Sequence, residues 1–597
     1  MKRKFLSILL TLAMALTLLP VSAMAEETPV EAPAETKVAQ IGDAKYDTLQ
    51  AAVDAANDGD TITLLKSGNG NGVSVPANKF INEGVTVNFN GYTYMVGGQL
   101  VGSAGTGTNA FQLNAGNKLT FKNGRIVGAT KGSKPADDTP NWHGAPAIVI
   151  QNYCDLTLDN MTVTGGDETV YTMSNNCGNV VIKDTVINPG MAKGYGYGPY
   201  AFDVYGGFQS YGDVTVTVEG ASVINGNIEI NHGTGNNNVN TLIVKAGTVN
   251  GNIKKTNGNL TITGGTFTSD VSAYLSSGYI QNENGAVETL GETNAVAKIG
   301  GTYYKTLADA VTAADTTTTV TLLKDTTENV TIPTGKTITL DLNGKTLSGG
   351  KNNNKAALLN NGTVTIKDSS ATKTGTIKRE DDADNTGTSY YVIKNLGTMT
   401  IEQANVINNS GYKKTNPSGS MVGSSLICNG DREDDQETTL TINDGVFEQQ
   451  NFLAVKNGTM GILNVNGGKF TSKHSAIQNW YKADIKGGEI NGQLWTDAFT
   501  WGENGYSAGV TKISGATKFT GEIVMDITLY TGITKGKIPT LEISGGEMNV
   551  TNWRITSAAA NAGAKPVITG GLFSSNPNAY VPDTHHVEDS GNGSYPF

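Results

Sequence analysis

The chain has 597 residues, 43 of them Lys or Arg against 54 Asp or Glu, for a net charge of −11, and only 16% of its residues are charged. A surface of that sign repels nucleic acid, anionic lipid and polyuronate unless cations intervene, so no nucleic-acid partner is expected. Its 75 glycines, frequent Thr and Asn, and odd count of 3 cysteines favour many short strands broken by tight turns over a disulfide-held fold.

Lys2, Arg3 and Lys4 precede an apolar run from Phe5 to Leu19, then Ala23, Met24 and Ala25, the small-residue pattern at which signal peptidase cuts. Residues 1–25 read as a signal peptide and 26–38 as a linker. The apolar run is shorter than the roughly 20 residues of a membrane span, so no membrane insertion is expected after cleavage. The mature protein is expected outside the cell. With no sorting signal before the closing SYPF, it is expected to be either secreted or held noncovalently at the surface.

The next element occurs twice. IGDAKYDTLQAAVDAANDGDTITLLK from Ile41 and IGGTYYKTLADAVTAADTTTTVTLLK from Ile299 align without a gap. In the first copy Leu49, Ala52, Val53 and Ala56 follow the i, i+3, i+4, i+7 pattern of one helical face, as Leu307, Ala310, Val311 and Ala314 do in the second. Thr48 and Thr306 stand where an N-cap belongs. Each copy is thus expected to open with a short helix and continue into an alternating strand, TITLL or TVTLL. The copies also end alike, with TITGGTFTSDVSAYL from Thr261 and VITGGLFSSNPNAYV from Val567. Two modules follow, 39–292 and 293–597.

Between these ends, short alternating strands lead into glycine corners, as in LTFKNGRI, LNVNGGKF and ADIKGGEI. A glycine at that offset marks a bend needing φ > 0 or close backbone approach. An asparagine recurs after short apolar strands at Asn361, Asn395, Asn429, Asn457 and Asn479, and again at Asn152 and Asn176. Amides stacked in this way hydrogen-bond to one another along the stack, which gives these residues a structural role. Cys154 and Cys177 are separated by about one repeat; a bridge between them is open, with free buried thiols the preferred reading.

The opening TLQAAVDAANDGDTITL, the coils of 22 or more residues and the asparagine ladder resemble the pectin-lyase-like superfamily of right-handed parallel β-helices. The duplicated IG-x-x-x-Y-x-TL start and the GG-x-F-S/T-S ending resemble secreted repeat proteins of gut Firmicutes. The resemblance implies an all-β fold of two tandem right-handed parallel β-helix (solenoid) modules, each with a short N-terminal capping α-helix. It leaves activity open, because lyases, hydrolases, esterases, adhesins and inert scaffolds share the fold.

The residue sets such enzymes carry are missing. The polygalacturonase set of NTD, DD, GHG and RIK is not present together, and the pectin methylesterase signatures are absent. Asp381-Asp382 and Asp434-Asp435 are paired carboxylates without a partner histidine, so no catalytic residue is assigned. No cofactor is expected. The one metal candidate is Ca²⁺ at the acidic runs Arg379 to Asn385 and Asp431 to Glu437, for which solvated inserted loops are the competing reading. The five histidines, His143, His232, His474, His585 and His586, lack zinc spacing, and a surface loop is the preferred place for His143.

Aromatic residues carry the functional expectation. Tyr195, Tyr197, Tyr200, Tyr205 and Tyr211 are set among glycines, and Trp480, Tyr481, Trp495, Trp501 and Trp553 follow strand positions. Flat aromatic faces along a rigid groove suit stacking against sugar rings, and padding of inserted loops is the competing reading. A secreted or cell-surface, non-catalytic protein that binds a polysaccharide or surface glycan, or acts as an adhesin, is therefore expected. The alternatives are a polysaccharide lyase or glycoside hydrolase of the same fold, and a structural surface spacer.

Overall fold

A computed structural model describes residues 36–102, 107–130, 145–192, 199–207, 210–233, 237–350, 355–379, 391–408, 425–430, 436–449, 452–501, 505–529, 537–591 and 593–596. The signal peptide, most of the linker, His143 and both Asp-Asp pairs lie outside these residues. The fold is all-β, 52% strand against 5% helix, with long parallel sheets compatible with a β-helix. It divides into two compact units, the first formed by residues through Ser276 and by Gln281–Val287, the second by Ser277–Ile280 and Glu288–Phe597.

Both units start with the same local structure. Strands Ala39–Ile41 and Ala44–Tyr46 pair antiparallel, as do Ala297–Ile299 and Thr302–Tyr304. The sequence pattern did not single out this hairpin; its signal was the glycine after each isoleucine, Gly42 at φ 53° and Gly300 at φ 54°. Helices Leu49–Ala55 and Leu307–Ala313 follow. The Thr48 hydroxyl accepts from Ala51 N at 3.0 Å and the Thr306 hydroxyl from Asp309 N at 3.0 Å, satisfying an N–H that the first helical turn cannot. Leu49, Ala52 and Val53, and likewise Leu307, Ala310 and Val311, are buried.

The strands beyond repeat with a fixed register. In the second unit most strands pair in parallel with the strand three further along, so that the chain runs through three strand families per rung. One family puts Leu340, Ile366, Ile401, Ile442, Val465, Ile485, Ile513, Ile543 and Ile568 in a single column, all of them buried. A second stacks Val406, Phe447, Phe470, Ile490, Phe519, Met548 and Phe573, with the Phe447 and Phe470 rings 4.7 Å apart and 11° from parallel. The first unit has the equivalent column Ile62, Val87, Phe121, Leu158, Ile182, Val218, Val244 and Ile262. Burying each such side chain is worth about 1.5–3 kcal/mol, and side chains of similar kind on successive rungs make the contribution nearly uniform along the stack.

In the third family of the second unit, five successive strands end on a buried asparagine. Asn360 Nδ2 donates to Asn395 Oδ1 at 2.7 Å, Asn395 to Asn429 at 2.7 Å, Asn429 to Asn457 at 2.8 Å and Asn457 to Asn479 at 2.8 Å. Asn479 closes the series on Thr511 Oγ1 at 2.9 Å. The first member is Asn360 and not Asn361, because strand alternation turns the first residue of the Asn-Asn doublet inward. The same correction applies in the first unit, where Asn152 registers with Asn175 rather than Asn176. There no amide-to-amide chain forms: Asn152 donates to Cys154 O, Asn175 to Asp203 O, and Asn176 to Ser174 Oγ.

The first unit carries its amide chains elsewhere, at positions the sequence pattern did not single out. Asn250 donates to Asn225 at 2.8 Å, Asn225 to Asn188 at 2.7 Å and Asn188 to Thr164 Oγ1 at 3.1 Å. The corners also use two devices. In LTFKNGRI the left-handed residue is Asn123, at φ 56°, while Gly124 is required because a Cβ there would sit 2.2 Å from Phe89 Cβ. At Gly445 glycine does both jobs, with φ 132° and a would-be Cβ 2.0 Å from Ala404 O. The three cysteines are free thiols, Cys154 bonding to Asn152 Oδ1 at 3.3 Å and Cys177 to Tyr211 O.

Substituting Asn360→Ala leaves buried backbone acceptors and Asn395 Oδ1 without their donor, and is expected to lower unfolding stability by about 1–3 kcal/mol. Asn361→Ala is expected to stay within about 0.5 kcal/mol of wild type. Urea denaturation of both variants checks the register, and equal midpoints would contradict it.

Candidate functional site

Registered pairing also lines up the side chains that face away from the core. In the first unit, strands Asn109–Leu113, Ile148–Asn152, Tyr171–Asn175, Tyr200–Tyr205, Asn227–Asn231 and Ile253–Lys255 place Gln112, Gln151, Ser174, Asp203, Glu229 and Lys254 in one column. Tyr171 and Tyr200 form the neighbouring register pair, their rings 5.0 Å apart and 20° from parallel.

The column brings two carboxylates together on adjacent rungs. Asp203 is buried and accepts from Ser174 Oγ at 3.1 Å and Asn175 N at 2.8 Å. Burial, with the Glu229 charge next to it, pushes its carboxyl up to about 7 against these hydrogen bonds. Glu229 accepts from the Tyr171 hydroxyl at 2.7 Å and pairs with Lys254 Nζ at 3.2 Å. Burial, followed by the Glu229 bond, raises the Tyr171 phenol. Two carboxyl groups in such different surroundings are what acid–base chemistry requires.

In the second unit the matching column runs Lys456, Gln478, Trp495, Val524 and Arg554. Trp495 is half-buried. Its ring lies 6.3 Å from His474, Arg554 stands 5.8 Å over it, and its Nε1 meets no acceptor among the described residues. Glu522 ties the surround together, accepting from Gln493 Nε2 at 2.6 Å, Asn552 Nδ2 at 2.7 Å and Arg554 Nε at 3.3 Å. Burial first, then Arg554, lowers the His474 imidazole. Beneath these, Asp497 registers with Asp526; burial and the Asp526 charge push Asp497 up to about 7 against the hydrogen bonds of Thr528 and Trp480.

The aromatic candidates separate on this framework. Tyr195 and Tyr197 lie outside the described residues, as does the side chain of Trp501. Tyr200 and Trp480 are buried, at 3% and 8% exposure, and so present no face to a ligand. Lys456 stands over the Trp480 ring at 4.6 Å. Tyr481 is engaged by Lys482 over its ring and by Glu437 at its hydroxyl, 2.8 Å away. Tyr211 is exposed and packs on Tyr153 at 4.8 Å, and Tyr205 is half-buried at its strand end. Trp553 packs on Tyr580. Trp495 is thus the candidate with both an accessible ring and polar neighbours on several sides.

His474, Glu522, Arg554, Asp203, Glu229 and Tyr171 escaped the sequence reading. Only the second-unit column carried a positional signal, since Lys456 and Gln478 each precede an asparagine of the series; the other residues meet through contacts between rungs. Of the acidic run Asp431 to Glu437, only Gln436 and Glu437 are described, and Glu437 pairs with Lys482 at 3.0 Å. Among the described residues no group of three His, Cys, Asp or Glu is placed to hold a metal ion, and no helix is long and apolar enough to cross a membrane. Compared with family models, curated proteins and solved structures, the chain matches none.

The raised carboxyl of Asp203 has a signed consequence. Its folded value of about 7 exceeds the ordinary 3.8, so between them the folded chain holds a proton the unfolded chain releases. The stabilisation from this group is full below about pH 4 and is lost as pH rises toward 7. Urea midpoints from pH 4 to 8 are expected to fall for wild type relative to Asp203→Asn across that window. Parallel curves would contradict the assignment.

Proposed function

We propose that the chain is an exported, non-catalytic surface protein that binds glycans, an adhesin in the broad sense, built on two right-handed parallel β-helix modules of the pectin-lyase-like kind. In this reading the modules span 39–292 and 293–597. Each opening helix lies across the first rung, covering backbone groups and apolar side chains that an open end would expose. The signal-like start at Lys2 to Ala25 supports export.

The observation that carries glycan binding is Trp495. The partly exposed indole, with His474, Gln493, Glu522 and Asn552 around it, offers a sugar ring a stacking face beside hydrogen-bonding groups for its hydroxyls. Glycan-array binding of the mature chain is expected above background. Trp495→Ala is expected to weaken it about tenfold, equivalent to about 1.4 kcal/mol. An array blank for wild type, or unchanged by the substitution, would contradict the proposal.

One observation favours a second reading, a glycoside hydrolase. Asp203 and Glu229 sit on adjacent rungs, about 4.8 Å apart as strands are spaced, with one carboxyl raised and the other beside Lys254. This reading predicts new reducing ends from a polysaccharide panel, lost in both Asp203→Asn and Glu229→Gln. A panel that stays blank with and without Ca²⁺ leaves the binding protein as the function.

A further inference from the structure

The two tails, alike in sequence, also build alike. In the first unit Val249 registers with Phe267, and Thr268 N donates to Val249 O at 3.1 Å; in the second Met548 registers with Phe573, and Ser574 N donates to Met548 O at 3.1 Å. The chain then returns antiparallel over the same strand, through an Ala286 bridge to Thr266 in one unit and a Pro596 pairing with Leu572 in the other. Beside each return lies an open groove, 660 Å³ in the first unit and 370 Å³ in the second.

These grooves are lined by equivalent residues. Asn250, Phe267 and Thr268 in the first correspond by register to Asn549, Phe573 and Ser574 in the second. Both asparagines are exposed, while both phenylalanines are buried in the core behind the groove. Asn250 donates its amide to Asn225, leaving its carbonyl oxygen open, and Asn549 accepts from Ser574 at 2.8 Å, leaving its amide N–H₂ open. Charge is not shared: Asp270 and Glu283 line one groove, whereas the other holds Glu489, Lys518 and Glu547, with Glu489 paired to Lys469 and Lys518 to Glu547.

What two copies of a site have in common defines what both can bind. Here that is an amide and a hydroxyl, without a shared charge. One groove leaves an amide acceptor open and the other an amide donor, and a sugar hydroxyl, which both donates and accepts, meets either. We infer that each unit carries, where its last parallel strand meets the returning tail, one copy of a binding site for an uncharged oligosaccharide. The choice of a sugar rests on the glycan-binding reading, but the sites are separate from Trp495.

Isothermal titration of the mature chain with cellohexaose, xylohexaose, mannohexaose and maltohexaose tests the inference. At least one is expected to bind. Asn250→Ala and Asn549→Ala are each expected to remove one equivalent of sites, and the double variant two. Both positions are exposed, so thermal midpoints close to wild type are expected to verify the fold, with Asn250→Ala losing only its exposed bond to Asn225. Binding that the double variant leaves intact would overturn the inference, and if Trp495→Ala alone reduced array signals the glycan reading would stand. Failure of all four hexasaccharides would also overturn it, even if the array reported charged glycans at Trp495.

Discussion

Everything in this protein depends on parallel strands being held in one register, because a slip of a single residue would turn every inward side chain outward. The buried asparagine series of the second unit is the interaction that forbids such a slip. Each amide from Asn360 to Asn479 donates to the next, and every buried Nδ2 also meets a backbone carbonyl, as from Asn395 to Thr439 O at 2.9 Å and from Asn429 to Ile462 O at 3.0 Å. A polar group buried without its partners costs about 1–3 kcal/mol, so an out-of-register rung would strand an amide in an apolar interior. The aliphatic column from Leu340 to Ile568 supplies more stabilisation but less choice, since neighbouring aliphatics tolerate a shift more readily than amides do.

Register then decides what the outer face can be. In both units the residue before each asparagine position points away from the core, and the two units fill that column differently. The first holds Ser174, Asp203, Glu229 and Lys254 in a largely buried, hydrogen-bonded series, and the second holds Lys456, Gln478, Trp495 and Arg554. The first stack therefore presents Asp203 and Glu229 where the second presents Trp495 and Arg554 among its column residues. On such a fold the proposed binding rests on these columns and the ends of the stack, while the remaining repeats maintain spacing.

Much of the framework was legible in the residues, and the errors have physical causes. The helices were readable because Thr48 and Thr306 stand before an unbroken i, i+3, i+4 pattern, a local signal. The asparagine positions were readable to within one residue: at Asn360-Asn361 and Asn175-Asn176 a doublet hides which member faces inward, and only strand pairing settles it. The corner at Asn123 was credited to its glycine because φ is invisible in sequence, although asparagine tolerates the left-handed region. The site was hardest to see. Glu522 meets Gln493, Asn552 and Arg554 across rungs about 30 residues apart, contacts that no local pattern encodes. The aromatic residues were visible as a list, but burial separated Trp480 and Tyr200 from Trp495.

Hydroxyl-radical footprinting of the mature chain, with and without a mixture of plant and bacterial wall polysaccharides, tests the account most directly, because it reads side-chain exposure residue by residue. Oxidation of Trp495 is predicted to fall when glycan is present, while Trp480, already buried against Lys456, stays slow in both samples. Unchanged oxidation of Trp495 under conditions in which polysaccharide is retained by the protein would contradict the outward column of the second unit as the glycan-binding face.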